Sequence, residues 1–271
     1  MDKILRALIC GGQVSLAVLQ TTKLVNRAAE IHKLDQSAVK LLGGLLTCGA
    51  YLASSLKEVS GAVSLTVKAK NGDGAASVSV DKQLRVRGYV DGACNSSLKG
   101  GALTVVREDG FSQPFVGACE ADSDEVSDLL EIYFGQSEQI PTAAAFKSSF
   151  DASGKCLYYG GAVMQLLPDA SDSAICKAAE LLESYKRGAE EIEEAEVIFE
   201  KYFAESVYGE AATLFPEYKC NCSENKIKGI LSAVGREELL KICEEQGEVR
   251  VHCHYCNTDY IYDRKRIEET F

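Results

Sequence analysis

Two short cysteine pairs, Cys220-Asn221-Cys222 and Cys253-His254-Tyr255-Cys256, stand on either side of residues 223–252. Soft sulfur ligands grouped two and two can close on one metal ion, so the chain between them must bend until the pairs meet. Four thiolates complete the shell of a structural zinc site and leave no open position for a catalytic water. The first pair is spaced C-x-C, tighter than the C-x-x-C of an ordinary zinc knuckle, and two sulfurs so close can bind metal or be oxidised. His252 and His254 flank Cys253, and either can replace a cysteine. The favoured ligand set is nevertheless Cys220, Cys222, Cys253 and Cys256, because two pairs already fill the shell and neighbours on an extended strand point opposite ways.

The unit carrying these cysteines, residues 215–271, is too small for a self-sufficient core. Structural zinc contributes about 10–16 kcal/mol in small zinc-dependent peptides, which matches or exceeds the total stability of a typical domain. Loss of the metal is therefore expected to unfold this unit.

The chain has 271 residues and 11 cysteines. An odd number, with seven scattered outside the cluster, fits a reducing cytoplasm better than a secreted disulfide scaffold. Cys10, Cys48, Cys94, Cys119, Cys156, Cys176 and Cys243 have no mutual spacing that marks a site and read mostly as small hydrophobes. The formal charge of -11 disfavours general nucleic-acid binding, which relies on clustered cations. Met1 to Gln20 has the outline of a signal peptide, with Lys3 and Arg6 before an apolar stretch, but Gly11, Gly12, Gln13 and Ser15 interrupt it. No run of apolar residues approaches a membrane span.

Apolar spacing predicts helices over residues 22–32 and 35–57, the second capped by Asp35. The period then changes to two. Val63, Leu65 and Val67 lead into the turn Asn71-Gly72-Asp73-Gly74, and Val78 and Val80 continue beyond it, as in a hairpin. Alternating runs over residues 84–90, 102–107 and 111–117 extend an antiparallel sheet. A helix is expected from near Asp122 or Ser123, burying Val126, Leu129, Leu130, Tyr133 and Phe134 on one face. Strands follow at residues 142–150 and 156–167. From Ser171 an amphipathic helix places Ile175, Ala178, Leu181, Leu182 and Tyr185 together, and Ala189-Glu190-Glu191-Ile192-Glu193-Glu194-Ala195-Glu196 reads as an acidic helical connector. Its charge run reads as a solvated face or, through repulsion of about a few tenths of a kcal/mol per pair, as an element that depends on docking.

The stretch Phe215-Pro216-Glu217-Tyr218-Lys219-Cys220-Asn221-Cys222-Ser223, with Gly247-Glu248-Val249-Arg250-Val251-His252-Cys253-His254-Tyr255-Cys256-Asn257 and Tyr260, resembles the redox-regulated heat shock protein 33 chaperone family. Arg87-Gly88-Tyr89-Val90, Ser137-Glu138-Gln139-Ile140-Pro141-Thr142 and Gly160-Gly161-Ala162-Val163-Met164-Gln165-Leu166-Leu167-Pro168 resemble further motifs of that family in the same order. The resemblance implies an α+β fold in three parts: a large client-binding domain with a mainly antiparallel sheet and packed helices (residues 1–170), a helical linker (171–214) and a zinc-binding switch domain (215–271). It also implies an ATP-independent cytoplasmic holdase rather than an enzyme. In such a protein one zinc ion sits on Cys220, Cys222, Cys253 and Cys256 in the inactive reduced form. Oxidation pairs Cys220 with Cys222 and Cys253 with Cys256, releases zinc and destabilises the linker, and the active form holds unfolding proteins, often as a homodimer. Closing such short loops stabilises by only about 2 kcal/mol, so oxidation exchanges a large stabilisation for a small one. Lys226 stands where the family commonly has arginine, and His254 where it commonly has an acidic residue; both bear on thiolate reactivity.

Two other function classes compete. A zinc ribbon on a nucleic-acid-binding protein is disfavoured because Lys226, Lys228, Arg236, Lys241 and Arg250 are interleaved with Glu237, Glu238, Glu244, Glu245 and Glu248. A thiol oxidoreductase would place Cys253-x-x-Cys256 at a helix start in a βαβ setting, which the pattern lacks. With three histidines, His32, His252 and His254, and no phosphate-cradling loop, conventional catalysis has little to work with.

Overall fold

The computed structural model describes residues 1–70, 74–92, 97–108, 113–188 and 194–271. They form two compact units, Met1–Tyr218 and Lys219–Phe271. The first opens with the hairpin β1 (Lys3–Ile9) and β2 (Val14–Gln20), then helices α1 (Thr22–His32) and α2 (Gln36–Ser54). Strands β3 (Ala62–Lys68), β4 (Gly74–Asp81), β5 (Arg85–Gly92), β6 (Gly101–Glu108) and β7 (Phe115–Ala121) follow. Helix α3 (Val126–Tyr133) runs into a π turn at Phe134–Glu138. Next come β8 (Thr142–Phe150), β9 (Cys156–Leu166), α4 (Asp172–Gly188), α5 (Ala195–Tyr202), β10 (Val207–Leu214) and the two-residue β11 (Glu217–Tyr218). The expected α+β class holds, with antiparallel sheets and packed helices.

Two sheets organise this unit. Five strands lie in the order β10-β1-β2-β9-β8 and six in the order β11-β5-β4-β3-β6-β7. All neighbours are antiparallel except β11, which runs parallel to β5. The six-stranded sheet shows the clean alternation that the sequence predicts, with Val63, Leu65 and Val67 buried and Ser64 and Thr66 half-buried. The five-stranded sheet is different because its central strands are covered on both faces. Ile4, Ala17 and Leu19 join α2 and the inner face of the six-stranded sheet in the largest core. Leu5, Ala7, Ile9, Leu16 and Val18 point the other way, under α4 and α5. A strand buried on both faces loses the polar half of its alternation, which explains why Leu16, Ala17, Val18 and Leu19 of β2 run apolar without a break.

Helix α2 is, among the described residues, the one helix long and apolar enough in composition to cross a membrane, with mean hydropathy 1.2. Most of its residues are buried in the core. Asp35 caps it by accepting the Ala38 N–H at 2.9 Å, as predicted. Its glycines allow close packing: a Cβ on Gly43 would lie 2.6 Å from the Tyr159 ring, and one on Gly49 2.9 Å from Val78 and Val80. Helix α1 is capped from a distance. Its N-cap residue Thr21 makes no side-chain cap, and the buried Asp2 carboxylate accepts instead from the N–H groups of Lys23 at 2.9 Å and Leu24 at 2.7 Å.

Some expected boundaries move. Helix α3 starts at Val126, not near Asp122 or Ser123. The Asp124 carboxylate is occupied by the Ser97 hydroxyl and the Leu98 N–H, both at 2.7 Å, which ties the preceding segment to the loop before β6. Strand β7 begins at Phe115, so residues 111–112 of its expected span lie outside the described residues. The Asn71-Gly72-Asp73 turn, Cys94 and residues 189–193 of the acidic connector also lie outside them. The described part of residues 171–214 forms α4, α5 and β10 within the first unit: Leu182, Tyr185, Ile198, Phe199 and Phe203 are buried against the five-stranded sheet.

The second unit contains α6 (Glu224–Val234), α7 (Arg236–Gln246), the hairpin β12 (Val249–Cys253) and β13 (Thr258–Tyr262), and α8 (Arg264–Thr270). Its core is small: Ile227, Leu231, Leu239, Cys243, Val249, Tyr262 and Ile267. Ser223 caps α6 and Asp263 caps α8.

Asp2→Ala is expected to lower the unfolding free energy by about 1–2 kcal/mol in urea titration of the metal-loaded chain. Asp2→Asn should lose less, since its amide oxygen still accepts one bond; three equal stabilities would remove Asp2 from the cap.

Candidate metal centre

The two cysteine pairs come from two kinds of backbone. Cys220 and Cys222 lie in the extended approach to α6, fixed at its end by Ser223, whose hydroxyl accepts the Lys226 N–H. Cys253 ends β12 and Cys256 lies in the turn to β13, where the N–H groups of Cys256 and Asn257 both donate to the Cys253 carbonyl. Asn257 takes the left-handed conformation, φ 58°, that closes such a turn.

These elements bring all four sulfurs within 4.8 Å of one another. Cys220 Sγ is 3.7 Å from Cys253 Sγ, and Cys222 Sγ is 3.3 Å from Cys256 Sγ. A tetrahedron with zinc–sulfur bonds of about 2.3 Å has edges of about 3.8 Å, so the donor set has the size as well as the softness that zinc uses. All four sulfur-bearing residues are partly shielded from solvent. Burial first, and then the neighbouring Cys222 and Cys253, push the Cys220 thiol well above its ordinary range. A cation at the centre inverts that preference, because a coordinated thiol is deprotonated outright.

Neighbouring groups address the sulfurs. The Cys222 N–H donates to Cys220 Sγ at 3.4 Å, the Tyr260 hydroxyl donates to Cys222 Sγ at 3.2 Å, and Thr258 Oγ1 lies 3.3 Å from Cys256 Sγ. The hairpin register explains the selection. Cys253 faces Thr258 and Val251 faces Tyr260 across the β12–β13 ladder, and directly opposed residues share a face. His252 pairs instead with Asp259 on the other face. Its Nδ1 lies 2.7 Å from Asp259 Oδ1, and the His254 ring stands edge-on to it with centroids 5.2 Å apart. Asp259 is held below the usual carboxylate range, chiefly by His252. Among the described residues the convergent set is therefore the four cysteines without either histidine.

From the sequence Tyr260 stands out only as part of the family resemblance, and neither it nor Thr258 is read there as a partner of the sulfurs. The signal was available: both fall on the same period-two face of a strand that begins two residues after Cys256.

The other described cysteines do not join the four-cysteine cluster. Cys119 and Cys156 are buried, and burial pushes their thiols up to about 11. Cys48 is raised further for the same reason. Cys243 is buried in the core of the second unit, its sulfur 3.5 Å from the Tyr262 carbonyl, while Cys10 is half-buried and Cys176 exposed.

A family model described as Hsp33 protein matches residues 2–263. The chain belongs to the Hsp33 family. A 33 kDa chaperonin of Clostridium perfringens is 30% identical over an alignment covering 98% of this chain and 90% of that protein. The 33 kDa chaperonin of Clostridium tetani is also 30% identical, covering 99% and 97%. The crystal structure of an Hsp33 homologue from Thermotoga maritima matches the fold with a TM-score of 0.84 at 24% identity, covering 99% of this chain and 97% of that one. This Hsp33 chain is thus a member of a chaperone family, and its four-cysteine cluster is able to hold a metal ion.

Tyr260→Phe removes a donor to Cys222 and is expected to weaken zinc binding about tenfold, measured by competition with a chromogenic chelator. Unchanged affinity would show that the phenol does not support the thiolate.

Proposed function

We propose that this Hsp33-family chain is an ATP-independent holdase switched on by oxidation, in which one zinc ion on Cys220, Cys222, Cys253 and Cys256 maintains the resting form. The observation that carries this reading is the packing of four sulfurs within 4.8 Å. Sulfurs so placed can share a cation or form disulfides, and each use excludes the other. Zinc supplies the stabilisation that the seven-residue core of the second unit lacks.

In the proposed switch, Cys220 pairs with Cys222 and Cys253 with Cys256. Each thiolate pair gives up two electrons as the S–S bond forms and the sulfurs leave zinc, and a peroxide takes up those electrons with two protons from solvent, its O–O bond breaking to give two waters or an alcohol and water. Residues 215–271 then unfold. The segment 171–214 acts as the linker to the client-binding domain, residues 1–170, and its release would bare Leu5, Ala7, Leu16 and Val18, now under α4 and α5. Helix α5 suits this role: it has eight residues and no side-chain N-cap bond, so it depends on docking. Exposed apolar surface then holds unfolding proteins, with the oxidised chain as a homodimer in the cytoplasm.

The arrangement supports binding rather than catalysis or nucleic-acid recognition. Arg250 faces Glu248 and Asp259, Arg264 faces Glu244 and Glu268, and Arg266 faces Glu224. Phosphate recognition uses cations that are available to it.

Peroxide-treated protein at mild heat should suppress aggregation of a thermally unfolding enzyme, whereas the reduced zinc-bound form should not. Equal suppression, or none in either state, defeats the switch. In a parallel titration zinc should leave as four thiols disappear, and peptide mapping should find the pairs 220/222 and 253/256. Zinc retained after loss of all four thiols would contradict the shared-ligand model.

A further inference from the structure

Residues 207–218 finish both sheets of the first unit, β10 along the side of β1 and β11 along the side of β5. β10 is a weak closing strand. Val207 and Leu214 at its ends pack against the two cores, but residues 208–213 are all exposed. The ladder is also interrupted: Arg6 pairs with Ala212 and Leu8 with Tyr208, so residues 209–211 bulge opposite Ala7, with Gly209 at φ 79°. β10 is therefore held by main-chain bonds and two end contacts, with little side-chain burial between them. β1 is the reverse, with Ile4, Leu5, Ala7 and Ile9 buried and β2 bonded along its other side.

Such a pairing sets a rigid template beneath a cover of low local stability. A strand edge, once bared, specifies its ligand by geometry: an extended chain bonded through N–H and C=O groups, with little demand on its sequence. Indifference to sequence is what a holdase for many unfolding proteins requires. Six residues along the chain from the end of β10 lies Cys220, so melting of residues 219–271 leaves the two-residue β11, with the Glu217 N–H on Leu84 and the Tyr218 hydroxyl on Gly88, as the anchor of this end. We infer that in the client-holding form β10 leaves β1, and that an extended segment of the client adds to the β1 edge in its place. This rests on the oxidation-activated reading above, and adds to it the site and the mode of capture.

Amide hydrogen exchange on the full chain tests it in three states: reduced with zinc, peroxide-treated, and peroxide-treated with carboxymethylated α-lactalbumin as a permanently unfolded client. Amides of residues 207–214 should exchange slowly only in the first state, while the alternate amides of residues 3–9 that point to β10 rather than β2 should lose protection on oxidation and regain it with the client. An eight-residue alternating Val-Thr peptide should displace the client, and the same peptide with proline at alternate positions should not. Continued protection of residues 207–214 in the client complex, no return of protection at those amides of residues 3–9, or equal competition by both peptides overturns the proposal. Client held with β10 still protected defeats this inference alone; an oxidised chain that holds no client defeats the redox reading as well.

Discussion

The five-stranded sheet is the constraint on which the first unit depends, because its central strands β1, β2 and β9 are buried on both faces by covers of different strength. One face belongs to the same core as α2 and the six-stranded sheet, where Gly43 and Gly49 let helix and strands approach within the reach of a Cβ. The other face lies under α4 and α5, of which α5 has eight residues. Apolar burial is worth about 25 cal/mol per Å² wherever it occurs. What differs is the autonomy of the covering element: a helix of 19 residues locked between sheets is part of the core, whereas a short helix is ordered only while docked.

The second unit repeats this dependence on a smaller scale. Its seven buried residues cannot offset the entropy of ordering the chain as a large core does, so its stability falls to the sulfurs. The hairpin sorts its own side chains by face: Cys253, Thr258 and Tyr260 on the metal side, His252 and Asp259 on the other. Period two thus decides both which groups address the sulfur cluster and which histidine is diverted to a carboxylate.

Much of this was legible in the sequence, for physical reasons that differ from element to element. The hairpin of β3 and β4 is written in a single period with one face more polar than the other, so its residues declare their orientation, and the helix after Asp35 is announced by its cap and by its length of apolar sequence. β1 and β2 carry apolar side chains on both faces, and their pattern resembles a hydrophobic segment of any kind. β10 was illegible for the opposite reason: Tyr208 to Thr213 bury little, and what orders them is the neighbouring strand. The cap of α1 was hidden because Asp2 acts across some twenty residues of sequence. The cysteine cluster was the most readable feature, since metal chemistry depends on residue type and spacing more than on packing. The roles of Tyr260 and Thr258 required the register of the hairpin.

Cys48, Cys119 and Cys156 have a bearing on how the protein ages. Burial keeps their thiols protonated, and a protonated thiol is a poor nucleophile. Their inertness is a property of the fold and not of the residues, so it lasts only while the first unit stays closed. On the proposed oxidation-activated reading, oxidant at moderate temperature meets the four sulfurs of the cluster, whose disulfides a reductant can undo. Oxidant together with heat sufficient to open the first unit meets a larger set, in which wrong pairings outnumber right ones. A switch of the proposed kind would then pass from resettable to single-use, with the melting point of the larger unit marking the boundary.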